Sequence, residues 1–294
     1  MAATARPMTV LFKQMTICGV GLIGGSLALV ARRAGLVEKI VGLGRGAQNL
    51  ELARERGIID HATRDPLEAA RGANLVVLAT PIRAMPATLI AMKPALPPDT
   101  IVTDVGSVKQ WVIAQLEPEL GPQMALVAAH PIAGKELTGA GAADATLFAG
   151  QRVIITPSAR STPAALGQVE ALWQATGARV SRMTPELHDR VLARASHLPQ
   201  IVASVLAAAL DDALVDGTRA VDYGAGGLRD TTRIAASSPE MWIDVCLTNR
   251  AAIIEALAGF RGILEEFAAC LEGSDVDGLK RVFERGRAMR KGLS

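Results

Sequence analysis

The chain predicts a doubly wound α/β sheet followed by an all-α second domain, and three observations carry that prediction. Short apolar runs alternate with helical patterns from residue 15 to about residue 182, which is the rhythm of a parallel sheet with crossover helices. Beyond residue 182 the strand signals stop and long, alanine-rich helical patterns replace them. The length of 294 residues suits about two domains rather than one.

Taken in order, residues 1–14 show no periodicity and read as a loose N-terminal extension. The runs 15–18, 39–43, 74–79, 100–103, 124–128, 152–155 and 179–180 are short and apolar, as buried strands are. Between them, 22–34, 47–56, 82–93, 108–116 and 163–175 are each long enough for a crossover helix. Residues 15–182 are therefore expected to form the α/β domain, and 183–294 the helical one. In the second half, 185–210, 239–271 and 275–290 have broad apolar faces, and their alanines allow close helix approach. The stretch 216–230 interrupts them, and Gly224, Gly226 and Gly227 suggest an irregular loop there.

Composition excludes several classes. Lys plus Arg (31) against Asp plus Glu (29) leaves a net charge of +2, too weak to suggest a nucleic-acid or membrane-surface partner. With 50% hydrophobic and 20% charged residues the chain is not disordered, and at 3% aromatic its core must come from Ala, Leu, Val and Ile. Cys18, Cys246 and Cys270 are odd in number and widely spaced, so neither a disulfide framework nor a paired-cysteine zinc site is available. No metal site is expected, and a reducing, cytoplasmic setting fits best. The uncharged stretch 16–31 superficially resembles a secretory segment, but glycines interrupt it, Arg32 and Arg33 follow it, and a bilayer span needs about 20 apolar residues.

Gly19-Val20-Gly21-Leu22-Ile23-Gly24 is a GxGxxG between the first strand and the first helix. Gly19 permits the tight turn, Gly21 lets a pyrophosphate approach the backbone, and Gly24 lets helix pack on strand. The helix start at Leu22 and Ile23 offers free N–H groups to phosphates. This is a Rossmann-like dinucleotide site. The position that reads the adenine ribose falls near Gly44, where there is no carboxylate, and Arg45 stands where a 2′-phosphate would sit. NADP is favoured, with NAD still admitted.

Two polar clusters follow later strands at the edge where such sheets bind ligands: Thr103 to Lys109, containing Ser107, and His130 to Glu136. His130 is a candidate general base, since an unperturbed imidazole titrates near neutrality. Ser107 could equally cap a helix. Of the other histidines, His61 lies in a polar connection, and His188 and His197, nine residues apart, fall on opposite sides of a regular helix. His197, beside Pro199, is the one favoured for a pocket. Arg229 and Arg233 are four apart and share a helix face, a spacing that suits a carboxylate ligand or a salt-bridged surface.

In sequence order, GVGLIGGS from Gly19, TDVGSVK from Thr103, HPIAGKELTG from His130, SHLPQ from Ser196 and GGLRDTTRIAASSPEMW from Gly226 resemble the prephenate/arogenate dehydrogenase family of tyrosine biosynthesis. The resemblance implies NAD(P)-dependent oxidative decarboxylation. The ring carbon bearing the hydroxyl gives up a hydride, a base takes the hydroxyl proton, and loss of CO2 aromatises the ring. It further implies that His130 is that base, that Ser107 orients the hydroxyl or His130, and that Arg233 holds the side-chain carboxylate. His197, Trp242 and Gly226 would line the substrate pocket, Glu136 would join an ionic network at its mouth, and Ala79, Thr80, Pro81 and Asp104 would border the cofactor. Family members are similar in dimerising through the helical domain, and no mutase or regulatory segment is expected here. Two alternatives differ in class. A β-hydroxyacid-type dehydrogenase would resemble its relatives in a lysine early in the helical domain, yet 183–279 contains none. A non-catalytic NADP-binding sensor would need no serine, histidine and arginine constellation.

Overall fold

The computed structural model describes residues 10–135, 137–211 and 214–293. Alternation of buried and exposed side chains begins at Phe12, with Phe12 inward and Lys13 outward, and β1 (Phe12–Cys18) accordingly starts before the expected residue 15. The buried amide of Gln14 disguised the strand; its Nε2 donates to the carbonyls of Ala69 (3.4 Å) and Arg71 (3.0 Å). The chain then runs through α1 (Leu22–Arg33), β2 (Val37–Leu43), α2 (Ala47–Glu55), β3 (His61–Thr63), α3 (Pro66–Ala70), β4 (Leu75–Leu78), α4 (Met85–Met92), β5 (Ile101–Asp104) and α5 (Gln110–Leu116). It continues through β6 (Ala125–Ile132), β7 (Arg152–Pro157), α6 (Pro163–Ala175) and β8 (Arg179–Arg182). β3 and α3 were not expected. Three residues are too few for a visible period, although Asp65 caps α3 by accepting from the Leu67 amide at 2.9 Å.

The eight strands lie in the order β3-β2-β1-β4-β5-β6-β7-β8. All neighbours pair in parallel except β6 and β7, which are antiparallel, with His130 opposite Ile154. The uniformly parallel sheet read from the sequence is therefore corrected at this one pairing. A parallel return needs a crossover, usually a helix, and among the described residues between β6 and β7 the helical element is a 3-10 turn, Ala140–Ala142. One apolar core fills the α1 and α6 face of the sheet around Phe12, Ile17, Leu27 and Trp173. The other lies under α3, α4 and α5 and continues into the helical domain through Ala193, Val245, Ile253 and Ala256.

The helical half opens with α7 (Pro185–Leu192), a π turn over Ala193–His197, and α8 (Leu198–Asp211). A hairpin of β9 (Leu214–Val215) and β10 (Thr218–Arg219) follows, then α9 (Gly226–Thr232), α10 (Pro239–Thr248), α11 (Arg250–Glu272) and α12 (Val276–Lys291). The region read as an irregular loop is thus largely ordered, with Gly226 and Gly227 opening α9. The single helix expected over 239–271 is broken at Asn249, whose φ of −111° and ψ of 31° leave the helical range.

Candidate active site

The glycine loop joins β1 to α1. Gly19 has φ +97°, and a Cβ there would sit 2.6 Å from the Ala79 carbonyl oxygen, so the loop lies directly on the end of β4. At Gly24 a Cβ would meet the Gly19 carbonyl at 2.5 Å and Ile17 at 2.8 Å, which is the close helix–strand approach the motif requires. At Gly21, the N-cap of α1, a Cβ would meet nothing within 4 Å. The first turn of α1, with Leu22 buried and Ile23 half-buried, has no side-chain cap and no acidic residue. Its free N–H groups and the open space at Gly21 fit a dinucleotide pyrophosphate. Beside this loop, Ala79 and Thr80 are half-buried, Pro81 is exposed, and the Thr80 hydroxyl is buried without a hydrogen-bond partner. An orphaned hydroxyl at the edge of the loop is what a ligand-binding wall leaves behind. Arg45 is exposed between β2 and α2.

Asp104, expected beside the cofactor, is instead sealed in the protein at 0% exposure. It accepts from the amides of Gly106 (2.7 Å) and Ala129 (3.2 Å) and pairs with the equally buried Lys109 ammonium. Lys109 Nζ also donates to the Ala129 carbonyl at 2.8 Å. Both polar groups of Ala129 are therefore gripped by one ion pair, and the next residue is His130. Burial holds the Lys109 pKa below its ordinary value even with Asp104 beside it. Ser107 is half-buried in the β5–α5 connection, and α5 begins only at Gln110, with Lys109 at its N-cap. The capping reading of Ser107 is thereby corrected, and its hydroxyl is left for another use.

His130, 9% exposed in β6, meets a partner that the sequence reading passed over. Its Nδ1 lies 2.9 Å from His188 Nε2, and the two rings meet edge to face. His188 Nδ1 in turn lies 2.8 Å from Asp189 Oδ1. Asp189 accepts from the amides of Lys109 (2.8 Å) and Gln110 (2.9 Å), which fixes α7 against the start of α5. The opposed placement of His188 and His197 holds only for a regular helix, and the proline that favoured His197 gives no sign of His188. A π turn adds a residue and offsets the downstream face by about 100°, bringing two opposed positions to about 80° apart. Both His188 and His197 are consequently 0% exposed.

His197 Nδ1 faces Asn249 Nδ2 at 3.1 Å, and the same Nδ2 donates to the Asp189 carbonyl at 2.9 Å. An amide nitrogen is only a donor, so His197 accepts at Nδ1 and carries its hydrogen on Nε2. That Nε2 is buried with no partner, as is Nε1 of Trp242, whose ring packs edge to face on His197 at 6.0 Å. Two orphaned donors side by side suit an acceptor-rich ligand such as a carboxylate. Asn249 is a further residue missed in the sequence, where nothing marks it apart from the helix it interrupts. Gly226 and Arg233 are exposed in and just after α9. Gln200, three residues beyond His197, ties this segment to the site through a 2.8 Å bond from its Nε2 to the Ile234 carbonyl. Glu136 lies outside the described residues.

Burial is the dominant influence on all three imidazoles, and it disfavours their protonated forms. Burial, and then His188, Lys109 and His197, hold the His130 pKa well below 6.5. Burial lowers His188 more than Asp189 raises it, and burial lowers His197 to about 4. Burial pushes Asp189 up, but bonds from His188 and the Lys109 and Gln110 amides outweigh it and leave its pKa below the usual carboxylate value. At neutral pH this is a cluster of three neutral imidazoles on one carboxylate, and His130 is a free base.

Comparison with known proteins identifies the family. Residues 27–182 match the family model of the prephenate dehydrogenase nucleotide-binding domain, and residues 184–285 that of the prephenate dehydrogenase dimerization domain. The chain is 38% identical to a cyclohexadienyl dehydrogenase of Zymomonas mobilis, covering 97% of each chain. Its fold superposes with a TM-score of 0.92 on the Aquifex aeolicus prephenate dehydrogenase solved with hydroxyphenyl propionate and NAD+, at 32% identity over 98% of this chain and 100% of that one. The Synechocystis arogenate dehydrogenase is similar at a TM-score of 0.82 and 28% identity, over 96% of this chain and 100% of that one. With both domain models matched in order along one chain, this protein belongs to the prephenate dehydrogenase family and is an oxidoreductase with a nicotinamide cofactor.

Proposed function

We propose that the chain catalyses oxidative decarboxylation of prephenate, arogenate or both, with NADP as the favoured acceptor. The observation that carries the reading is the hydrogen-bonded chain His130–His188–Asp189 on the sheet whose β1 end bears the glycine loop. When bound, the nicotinamide supplies the oxidant, accepting a hydride from the ring carbon that bears the hydroxyl. His130 takes the hydroxyl proton as that carbon becomes a carbonyl. Loss of the ring carboxylate as CO2 then sends an electron pair into the ring, and the same proton returns to the oxygen as the ring aromatises. Ser107 orients the hydroxyl, and Arg233, with the orphaned donors of His197 and Trp242, receives carboxylate oxygens. Glu136 would close the mouth of the pocket. Asp104, in contrast, positions backbone. Residues 15–182 would bind cofactor, and 183–294 would complete the substrate pocket and dimerise.

The test is absorbance at 340 nm with prephenate and arogenate each crossed with NAD and NADP. Turnover is expected in at least one well, and silence in all four with cofactor binding intact would refute the reading. His130→Asn should lower kcat by about 10²- to 10⁴-fold with little change in cofactor affinity. Arg45→Ala should raise the KM for NADP and leave that for NAD unchanged, because only the former has a 2′-phosphate for the guanidinium to meet. An unaltered KM for NADP would remove the preference.

A further inference from the structure

A base that must receive a proton at one ring nitrogen has to be kept from carrying its resting hydrogen there, and the helix that supplies His188 and Asp189 meets that requirement. The Asp189 carboxylate can only accept, so the 2.8 Å contact places a hydrogen on His188 Nδ1. A neutral His188 then offers a lone pair at Nε2. The 2.9 Å contact to His130 is satisfied only if His130 Nδ1 is the donor. His130 is left with a bare Nε2, which has no hydrogen-bond partner among the described residues.

We infer that His188 and Asp189 are positioning residues for the reaction: through the chain Asp189–His188–His130 they lock His130 in its Nδ1–H tautomer and keep Nε2 as the proton acceptor. The inference rests on the reading of His130 as the base. During the step the substrate proton goes to Nε2 and returns from it, the hydride goes to the nicotinamide, and no proton has to travel along the chain. Asp189 stays ionised and steadies the transient imidazolium through the intervening ring. Its carboxylate cannot turn away, since the amides of Lys109 and Gln110 hold it from the other element. The groups facing His130 among the described residues are Lys109 and Asp104 from the β5–α5 connection, His188 and Asp189 from α7, and His197 from the π turn. Only Asp189 is an anion aligned with its Nδ1 through a hydrogen bond. The Asp104 carboxylate is occupied by the Lys109 ammonium.

The chain has only four histidines, so their imidazole nitrogens can be assigned in the intact protein by long-range 1H–15N correlation of 15N-labelled material. His130 and His188 are expected to show the Nδ1–H form near neutral pH, without any substrate present. An Nε2–H signal from His130 overturns the inference. Kinetically, His188→Gln keeps an acceptor for Nδ1–H and should retain at least tenfold more activity than His188→Leu, which leaves the tautomer free. Asp189→Asn removes the aligned anion and should lower kcat about 10-fold or more and move the acid limb of kcat/KM to lower pH. A merely structural role would leave that limb in place, and an unmoved limb with kcat within twofold of wild type refutes the inference. Failure of the wild type to turn over either substrate, with His130 still in the Nδ1–H form, would instead count against the proposed reaction and leave the tautomer lock standing.

Discussion

At the scale of single residues the dominant effect is desolvation, and it has a sign that can be checked. Each of His130, His188 and His197 is held below the unfolded value of about 6.5, so above that pH the folded and unfolded chains bind the same protons at these sites. Below it the unfolded chain takes up protons that the folded one refuses, and stability falls as pH drops from 6.5 towards the folded values. For His197, with its pKa near 4, the loss amounts to about 3 kcal/mol once pH 4 is reached. Urea midpoints measured from pH 7 to pH 4 should therefore decline, and His197→Gln should flatten the decline; a pH-independent midpoint would contradict the burial of neutral rings. The Asp104–Lys109 pair makes an independent prediction. Removing one partner of a buried pair strands the other, so Lys109→Met should cost about 3–5 kcal/mol of stability. It would also release the Ala129 carbonyl and, with it, the position of His130.

At the scale of elements, the β1–turn–α1 unit separates two glycines that a motif treats alike. Gly24→Ala puts a methyl into the Gly19 carbonyl and Ile17, so it should lower the melting temperature as well as cofactor affinity. Gly21→Val meets open space and should leave melting unchanged while blocking the cofactor, which differential scanning fluorimetry with and without NADP would separate. This unit was legible in the sequence because glycine spacing and strand position are local properties. So were β2, β4 and β5, whose runs are largely buried within the sheet, and the crossover helices other than α3. What escaped were features set by departures from regular geometry. The π turn over Ala193–His197 has no composition of its own, yet it lets His188 and His197 be buried together. The break at Asn249 lacks glycine or proline, and its buried amide is explained only by Asp189 and His197 about 50 to 60 residues away in sequence. The Asp104 carboxylate lay at a strand end where ligands bind, and only the Lys109 side chain folding back over it reveals a structural use.

At the scale of the whole molecule, the helical half has too much apolar surface for a chain that ends its contacts with itself. The continuous helical stretch Pro185–Asp211 is apolar enough to pass, by length and composition, for a membrane span, yet only 28% of its most apolar window is buried. Val205 at 62% exposure, Ile243 at 54% and Leu247 at 56% edge a groove of about 470 Å3 that also includes Trp242. The match of residues 184–285 to a dimerization domain supports a homodimer, and an exposed apolar groove of this kind is where a second copy is predicted to seat. Trp242 lines the groove and also packs on His197, so a partner seated there is predicted to bear on the proposed substrate pocket. Light scattering on the wild type should give twice the 30.7 kDa chain mass. Paired Val205→Glu and Ile243→Glu substitutions should shift it to monomer and raise the substrate KM more than the cofactor KM, since the glycine loop lies in the other domain. A wild-type monomer with full activity would separate the two roles of this face and leave the groove to a different ligand.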